Sequence, residues 1–93
     1  MMADFNYQYI EDLLLRLLGL LLGIFSDAER SEVQEFIEIG EYGLALETLV
    51  DVVVEEEKQV PRECLELVCE LAGVMKLDDK VFEEKLRGHI TDN

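Results

Sequence analysis

The sequence predicts an all-α fold, a compact antiparallel bundle of four to five helices in a single domain over residues 1–93. Hydrophobic residues make up 49% of the 93 residues, which supplies a core at a length where folding buries only about 60–65% of the unfolded surface. These residues recur at helical spacing in several successive segments. Short turns separate the segments, and short connections favour antiparallel neighbours.

The first helix is predicted over residues 4–24, with Asp4 as its N-cap. Seven apolar residues at i, i+3, i+4 and i+7 spacing form its predicted core face: Ile10, Leu13, Leu14, Leu17, Leu18, Leu21 and Leu22. Leu15 and Leu20 are apolar on the other side, so the helix is either enclosed by its neighbours or uses this second face for a partner. Gly19 and Gly23 are expected to weaken the helix slightly and to permit close helix approach.

The second helix is predicted to start at residue 27, after a capping box formed by Ser26 and Glu29. In such a box the serine hydroxyl accepts the backbone N–H of the glutamate, and the carboxylate accepts the backbone N–H of the serine. Three apolar residues form the predicted buried stripe: Val33, Phe36 and Ile37. Gly40 is predicted to end the helix, because glycine suits the left-handed conformation just past a helix end.

The third helix is predicted over residues 42–57. Its core stripe comprises Leu46, Leu49, Val50 and Val53. Valines 52–54 favour a strand by propensity, but they lie within a longer helical pattern without a hairpin signal, so a helix is predicted there as well.

A fourth and a fifth helix are predicted in the last third of the chain. Pro61 is predicted at the first position of the fourth helix, where its missing N–H carries no penalty, and this helix ends by Leu77. Its predicted core residues are Leu65, Val68, Leu71, Ala72 and Met75. Asp78 is the predicted N-cap of a short fifth helix that Gly88 ends, and the last five residues are expected to fray.

The two cysteines are predicted to be buried free thiols. On a helix, Cys64 and Cys69 point about 140° apart, so they cannot form a disulfide there. Free thiols fit a reducing cytoplasm.

The leucine-rich run of the first helix covers roughly 13 residues, which is shorter than the roughly 20 that span a membrane. Acidic residues precede this run, whereas a signal peptide needs basic residues there. The sequence therefore predicts a cytoplasmic protein.

No catalytic, cofactor-binding or metal-binding motif is apparent, so the chain is predicted not to be an enzyme. The one histidine, His89, is expected to be solvated in the frayed tail, without a serine or cysteine placed beside it by a motif. The glycines are too scattered for a phosphate-binding loop. No calcium-binding loop occurs, and a di-iron bundle would need more than one histidine.

The net charge is the most informative property of the composition. Twenty-two acidic residues against eight Lys and Arg give a formal charge of −14. Nucleic acid and anionic membranes repel such a surface, so the charge predicts no direct binding to either. A basic protein, in contrast, is attracted to it. The first sixty residues carry fourteen acids and three bases, and the remainder carries eight acids and five bases, so the charge is concentrated in one part of the chain.

The second and third helices carry most of this excess, with eleven acidic residues between positions 27 and 57 and Arg30 and Lys58 as the local counter-charges. Like charges three or four residues apart repel within a helix, so a surface serving stability alone would intersperse lysines. Eight residues are predicted to bind the partner: Glu32, Glu35, Glu38, Glu41, Tyr42, Glu47, Asp51 and Glu55. For Tyr42, a role as an aromatic anchor and a role as a partly buried core residue are equally compatible with the pattern.

The segment 32–49, EVQEFIEIGEYGLALETL, resembles the MafI-type immunity proteins of bacterial polymorphic toxin systems. The acidic segment VEEE at 54–57, Pro61 and a helix ending LAGVMKL at 71–77 are also similar, and the resemblance covers roughly residues 29–79. Its most specific part is GEYGLALE at 40–47. Similar small immunity proteins (CdiI-like) accompany the toxins of contact-dependent growth inhibition.

The resemblance implies a cytoplasmic toxin inhibitor that binds the C-terminal domain of a cognate toxin, often a nuclease, in a one-to-one complex and blocks its active site. A nuclease site is basic because it holds phosphates, so an acidic protein can occupy it. An alternative is an acidic adaptor or DNA mimic that binds a host nucleic-acid-binding protein. A homodimer packing Leu15 and Leu20 across a two-fold axis is compatible with either function.

Overall fold

A computed structural model describes residues 6–91 of the chain. It is mostly helical, at 71%, with five helices and two very short strands. The elements are α1 (Tyr7–Leu20), α2 (Asp27–Glu38), α3 (Tyr42–Glu55), β1 (Val60–Pro61), α4 (Arg62–Val74), α5 (Asp79–Leu86) and β2 (Ile90–Thr91). The radius of gyration is 12.6 Å, close to the value of about 12 Å expected for a folded chain of this length.

Side-chain caps start three of the helices. The predicted capping box is confirmed: Glu29 N–H donates to Ser26 Oγ at 3.1 Å, and Ser26 N–H donates to Glu29 Oε1 at 2.9 Å. Asp78 caps α5 as predicted, accepting from the N–H of Lys80 at 3.0 Å. Helix α1 begins later than predicted, with Asn6 as its N-cap; the predicted cap Asp4 lies outside the described residues.

Residues with positive φ end several helices. Gly40 has φ +79°, as its predicted place after α2 requires. Two non-glycine residues, Glu57 at φ 52° and Lys76 at φ 62°, follow α3 and α4. The N–H of Lys58 then reaches back to the carbonyl of Val53 at 2.9 Å. This closing turn explains why α3 ends at residue 55, two residues before the predicted end.

The buried side chains form one apolar cluster, and none of the buried residues among the described ones is polar. Most of the predicted core is confirmed, but Leu22 is 62% exposed because α1 ends before it. Three other predicted core residues are only partly buried: Phe36, Leu65 and Met75. In α4 the buried face includes Leu67, which was not predicted, and Cys64, whose predicted burial is confirmed. Helices α1 and α5 both pack against α4, and they decide which of its apolar residues are enclosed.

The predicted fraying of the last five residues is wrong for those that the structure describes. Val60 pairs with Ile90 and Pro61 with Thr91 in a parallel arrangement. Val60 N–H also donates to the carbonyl of His89 at 2.8 Å. Pro61 is therefore the N-cap residue of α4, extended at φ −69° and ψ 157°, rather than its first helical residue. This pairing joins residues 90–91 to the segment before α4.

His89 is partly buried rather than solvated, which corrects the prediction for this side chain. Its Nδ1 lies 3.0 Å from the backbone carbonyl oxygen of Lys58. The contact of His89 with Lys58 lies beside the pairing of β1 with β2, so both contacts hold residues 89–91 against the segment that precedes α4.

Lys58 joins three parts of the chain. Its Nζ lies 3.0 Å from Glu29 Oε1 at the start of α2 and donates to the carbonyl of Ile24 at 3.0 Å. The same ammonium group lies 5.7 Å from the centre of the Phe25 ring, a distance at which a cation–π attraction operates. The pKa of Glu29 is lowered, first by the hydrogen bond from the backbone N–H of Ser26 and then by Lys58.

Replacing Glu29 by glutamine is expected to destabilise the protein at pH 7 and to have a smaller effect in acid. The pKa of Glu29 in the folded state lies below its ordinary value of 4.5, so its stabilisation is present above that value and is lost as the pH falls through the folded-state pKa. Urea unfolding of both proteins at pH 7 and at lower pH measures the difference. Glu32→Gln, in the same helix, is the control, and a difference that does not change with pH would contradict the account.

Replacing Gly19 by alanine is expected to raise the free energy of unfolding by about 0.5–1 kcal/mol, because alanine favours a helix interior and no atom outside the local helix lies within 4 Å of the added Cβ. A Cβ added at Gly23 would likewise meet no atom within 4 Å. The prediction that another helix approaches closely at Gly19 and Gly23 is therefore wrong. Gly40→Ala is the contrasting variant, expected to cost about 1–2 kcal/mol because of its positive φ. Equal changes in the two thermal midpoints would refute this interpretation.

Both cysteines are free. Burial raises the pKa of the Cys64 thiol to about 12, and burial also raises the pKa of Cys69, which is only partly buried. Neither thiol is therefore activated as a thiolate at neutral pH.

Among the helices of residues 6–91, none has the length and apolar content needed to cross a membrane.

Candidate partner-binding surface

The seven carboxylates predicted to bind a partner are all exposed. We call them the acidic surface: Glu32, Glu35, Glu38, Glu41, Glu47, Asp51 and Glu55. Helical geometry explains their exposure, since Glu35 follows the buried Val33 by two residues and so points about 160° away from it. The same spacing separates Asp51 from the buried Leu49 in α3. Helices α2 and α3 pack against each other, so the two acidic faces belong to neighbouring elements.

Most of the acidic surface has no counter-charge among the residues that the structure describes. Asp51 is the exception, since its carboxylate lies 3.7 Å from Lys85 in α5. The two bases expected nearby are engaged elsewhere: Arg30 with Asp27 at 3.1 Å and Lys58 with Glu29 at 3.0 Å. Within residues 6–91, six carboxylates of the acidic surface form no ion pair: Glu32, Glu35, Glu38, Glu41, Glu47 and Glu55.

Mutual repulsion within the acidic surface weakens the fold only modestly. Like charges at these helical spacings destabilise by roughly 0.2–0.5 kcal/mol per pair. The four such pairs of the surface, at positions 32/35, 35/38, 47/51 and 51/55, together cost about 0.8–2 kcal/mol, which is less than the roughly 5–14 kcal/mol that stabilises a domain of this length. The core can therefore sustain the surface. A cationic partner would relieve the repulsion on binding, in addition to forming its own charge pairs.

A shallow depression of about 210 Å³ lies on the outer side of α2, lined by Ser31, Gln34, Glu35 and Glu38. All four side chains are polar and exposed. Such a depression suits hydrogen bonds and charge pairs with a partner, whereas it offers no apolar anchor point.

A second concave feature, of about 240 Å³, lies where the turn before α3 meets α1 and the end of α4. We call it the tyrosine cleft; it is lined by Tyr7, Ile10, Gly40, Glu41, Tyr42, Gly43, Met75 and Leu77. Tyr42 is partly buried, and its ring lies 6.0 Å from that of Tyr7 at 33°. The partly buried position predicted for Tyr42 is confirmed, because it packs against the core and against Tyr7. Its role as an aromatic anchor for a partner stays a prediction.

The turn that positions Glu41 and Tyr42 is held by backbone hydrogen bonds. Gly40 N–H donates to the carbonyl of Ile37 at 3.0 Å, and Glu41 N–H donates to that of Phe36 at 2.8 Å. Glu41 occupies the N-cap position of α3, but its side chain makes no capping hydrogen bond. Its carboxylate is therefore not used to cap the helix, and Glu41 is one of the residues that line the cleft.

Sequence reasoning assigned Glu41 and Tyr42 to a site but not the other six residues that line the cleft, among them Tyr7, Met75 and Leu77. These three come from segments far apart in the chain, and only the packed fold brings them to the turn. Their apolar character had a sequence signal, but it is shared with every core residue of the same helices.

No group of three or more His, Cys, Asp or Glu side chains in the described part of the chain is arranged to hold a metal ion. Comparisons with protein-family models, with curated proteins and with solved structures found no match for this chain.

Proposed function

We propose that this chain is an immunity protein that binds a cognate toxin domain and neutralises it, in a one-to-one complex and without a catalytic role of its own. The observation that carries the proposal is the acidic surface, whose exposed carboxylates on α2, α3 and the turn between them have no counter-charge among residues 6–91 except at Asp51. A surface of this kind attracts a basic partner and accelerates its association.

A nuclease toxin is the partner that fits this charge. A site that holds nucleic-acid phosphates is lined by Lys and Arg, so carboxylates at similar spacing can occupy it and exclude the substrate. The resemblance of residues 32–49 to MafI-type immunity proteins supports the same partner. The proposal includes the antiparallel arrangement of the helices and a cytoplasmic location, where an inhibitor would meet a toxin that has entered the cell.

Co-expression tests the proposal directly. Cells that produce the toxin domain encoded beside this gene are expected to stop growing, and cells that also produce this protein are expected to grow normally. The matched control is a toxin domain from an unrelated system, which this protein should not neutralise. Growth arrest that persists despite verified production of soluble protein would overturn the proposal.

Purification from the same cells distinguishes the alternative function. The proposal predicts that the toxin domain is recovered with this protein in equimolar amount. Recovery of a host nucleic-acid-binding protein in place of the toxin domain would instead support the adaptor or DNA-mimic function and refute the immunity function.

A further inference from the structure

We propose that the tyrosine cleft binds an arginine side chain of the partner. The proposal rests on the proposed function for the identity of the partner, but the chemistry of the cleft can be tested without it. Two tyrosines, one glutamate and the flexible Met75 line the same open space. Aromatic faces and a carboxylate together are the groups that recognise a guanidinium ion.

The arrangement of the rings determines where the guanidinium lies. The centres of the Tyr7 and Tyr42 rings are 6.0 Å apart, which is less than the roughly 7 Å needed to admit a planar group between two rings in contact on both sides. The guanidinium therefore stacks on the open side of the ring pair. Tyr7 is 55% exposed as a residue and lines the cleft, so the guanidinium approaches it from solvent.

Glu41 supplies the charge that favours a cation over other occupants. Its carboxylate makes no capping hydrogen bond and no ion pair within residues 6–91. The first N–H groups of α3 carry the equivalent of about half a positive charge, which is smaller than the full negative charge of the carboxylate. The net charge of −14 further favours a cation and disfavours an anion.

Arginine fits the cleft better than lysine or an apolar side chain. Its planar guanidinium stacks on aromatic rings and donates to a carboxylate at the same time, whereas an ammonium is compact and more strongly hydrated. An apolar side chain would gain contacts with Met75 and the floor residue Ile10, which is 1% exposed. It would also remove the Glu41 carboxylate from water without giving it a partner.

Titration of the isotope-labelled protein with N-acetyl-arginine amide, followed by NMR at constant ionic strength, tests the cleft. The amide signals of residues 40–43 and 75–77 are expected to shift and to saturate, with a dissociation constant of roughly 10–100 mM. N-acetyl-lysine amide is expected to bind several-fold more weakly, and N-acetyl-leucine amide to leave these signals unchanged. Equal shifts with all three probes would overturn the proposal.

Two variants assign the binding to named groups. Glu41→Gln is expected to weaken binding of N-acetyl-arginine amide about three-fold, and Tyr7→Leu is expected to weaken it by a similar factor. Glu32→Gln changes the net charge as Glu41→Gln does but lies outside the cleft, so its affinity should equal that of the wild type. Unchanged affinity in both cleft variants, with wild-type spectra elsewhere, would overturn the proposal.

The outcome is separable from that of the proposed function. If the probe binds as expected while the toxin is not neutralised, the cleft proposal stands and the immunity function fails. If the toxin is neutralised and the probe does not shift the cleft signals, the immunity function stands and the cleft proposal fails.

Discussion

Replacing Leu14 by alanine is expected to lower the free energy of unfolding by about 3 kcal/mol. Leu14 is fully buried, at 0% exposure, in the middle of α1. Truncating a buried leucine loses transfer free energy and leaves a cavity, with typical costs of 2–5 kcal/mol. That is a large share of the stability of a 93-residue domain, which lies at about 5–14 kcal/mol. Urea unfolding followed by circular dichroism measures the loss.

The neighbouring Leu15 provides the matched control, since it lies in the same helix and is 45% exposed. The same truncation there is expected to change the free energy of unfolding by less than about 1 kcal/mol, because less apolar surface is lost and no cavity forms. Equal losses in the two variants would show that α1 does not face the core as described. A loss at Leu15 that depends on protein concentration would instead reveal a dimer packed on this face.

Reversing two charges of the acidic surface is expected to slow association with the toxin domain by about 10–100-fold at low salt. The double variant Glu35→Lys/Glu47→Lys changes one exposed carboxylate in α2 and one in α3, and neither forms an ion pair within residues 6–91. Electrostatic steering of this kind raises association rates by about 10–1000-fold, and it weakens as salt is added. Stopped-flow mixing over a range of salt concentrations measures both the rate and its salt dependence.

A control with the same net charge separates a local contact from general attraction. Glu66→Lys/Glu84→Lys makes the same change in α4 and α5, at exposed residues with no ion pair in the described part of the chain. It is expected to slow association much less than the first double variant. Asp51 is unsuitable for this comparison because it also pairs with Lys85. Equal slowing in both double variants would place the toxin outside the acidic surface.

Local features were the most predictable part of the fold. The capping box of Ser26 and Glu29, the cap of Asp78 and the positive φ of Gly40 each depend on residues within four positions of one another. Helical periodicity likewise identified the buried stripe of α3. Such short-range rules operate before tertiary contacts form, so they can be applied to a sequence directly.

Contacts between distant segments were not predictable in the same way. The pairing of Val60 with Ile90 and the contact of His89 with the carbonyl of Lys58 involve only a few residues separated by about thirty positions. Neither leaves a periodic signal. The rotation of α4 that buries Leu67 and leaves Leu65 only partly buried is a further example, because neighbouring helices decide which apolar residues of an amphipathic helix are covered.

The same distinction between local features and contacts of distant segments applies to the candidate site. Exposure of the carboxylates followed from helical spacing, and the structure agrees at all seven positions. The counter-charge at Asp51 comes from Lys85, more than thirty residues later, and the tyrosine cleft combines α1, the turn before α3 and the end of α4. Both features depend on packing, which a single sequence specifies only indirectly.

Titration of the toxin's nuclease activity with this protein is the most direct test of the proposed inhibition. The account predicts that activity falls linearly and is abolished at one equivalent, with the inhibition weakened by Glu35→Lys/Glu47→Lys and retained by Glu66→Lys/Glu84→Lys. Full nuclease activity in the presence of a several-fold excess of the folded protein would contradict it.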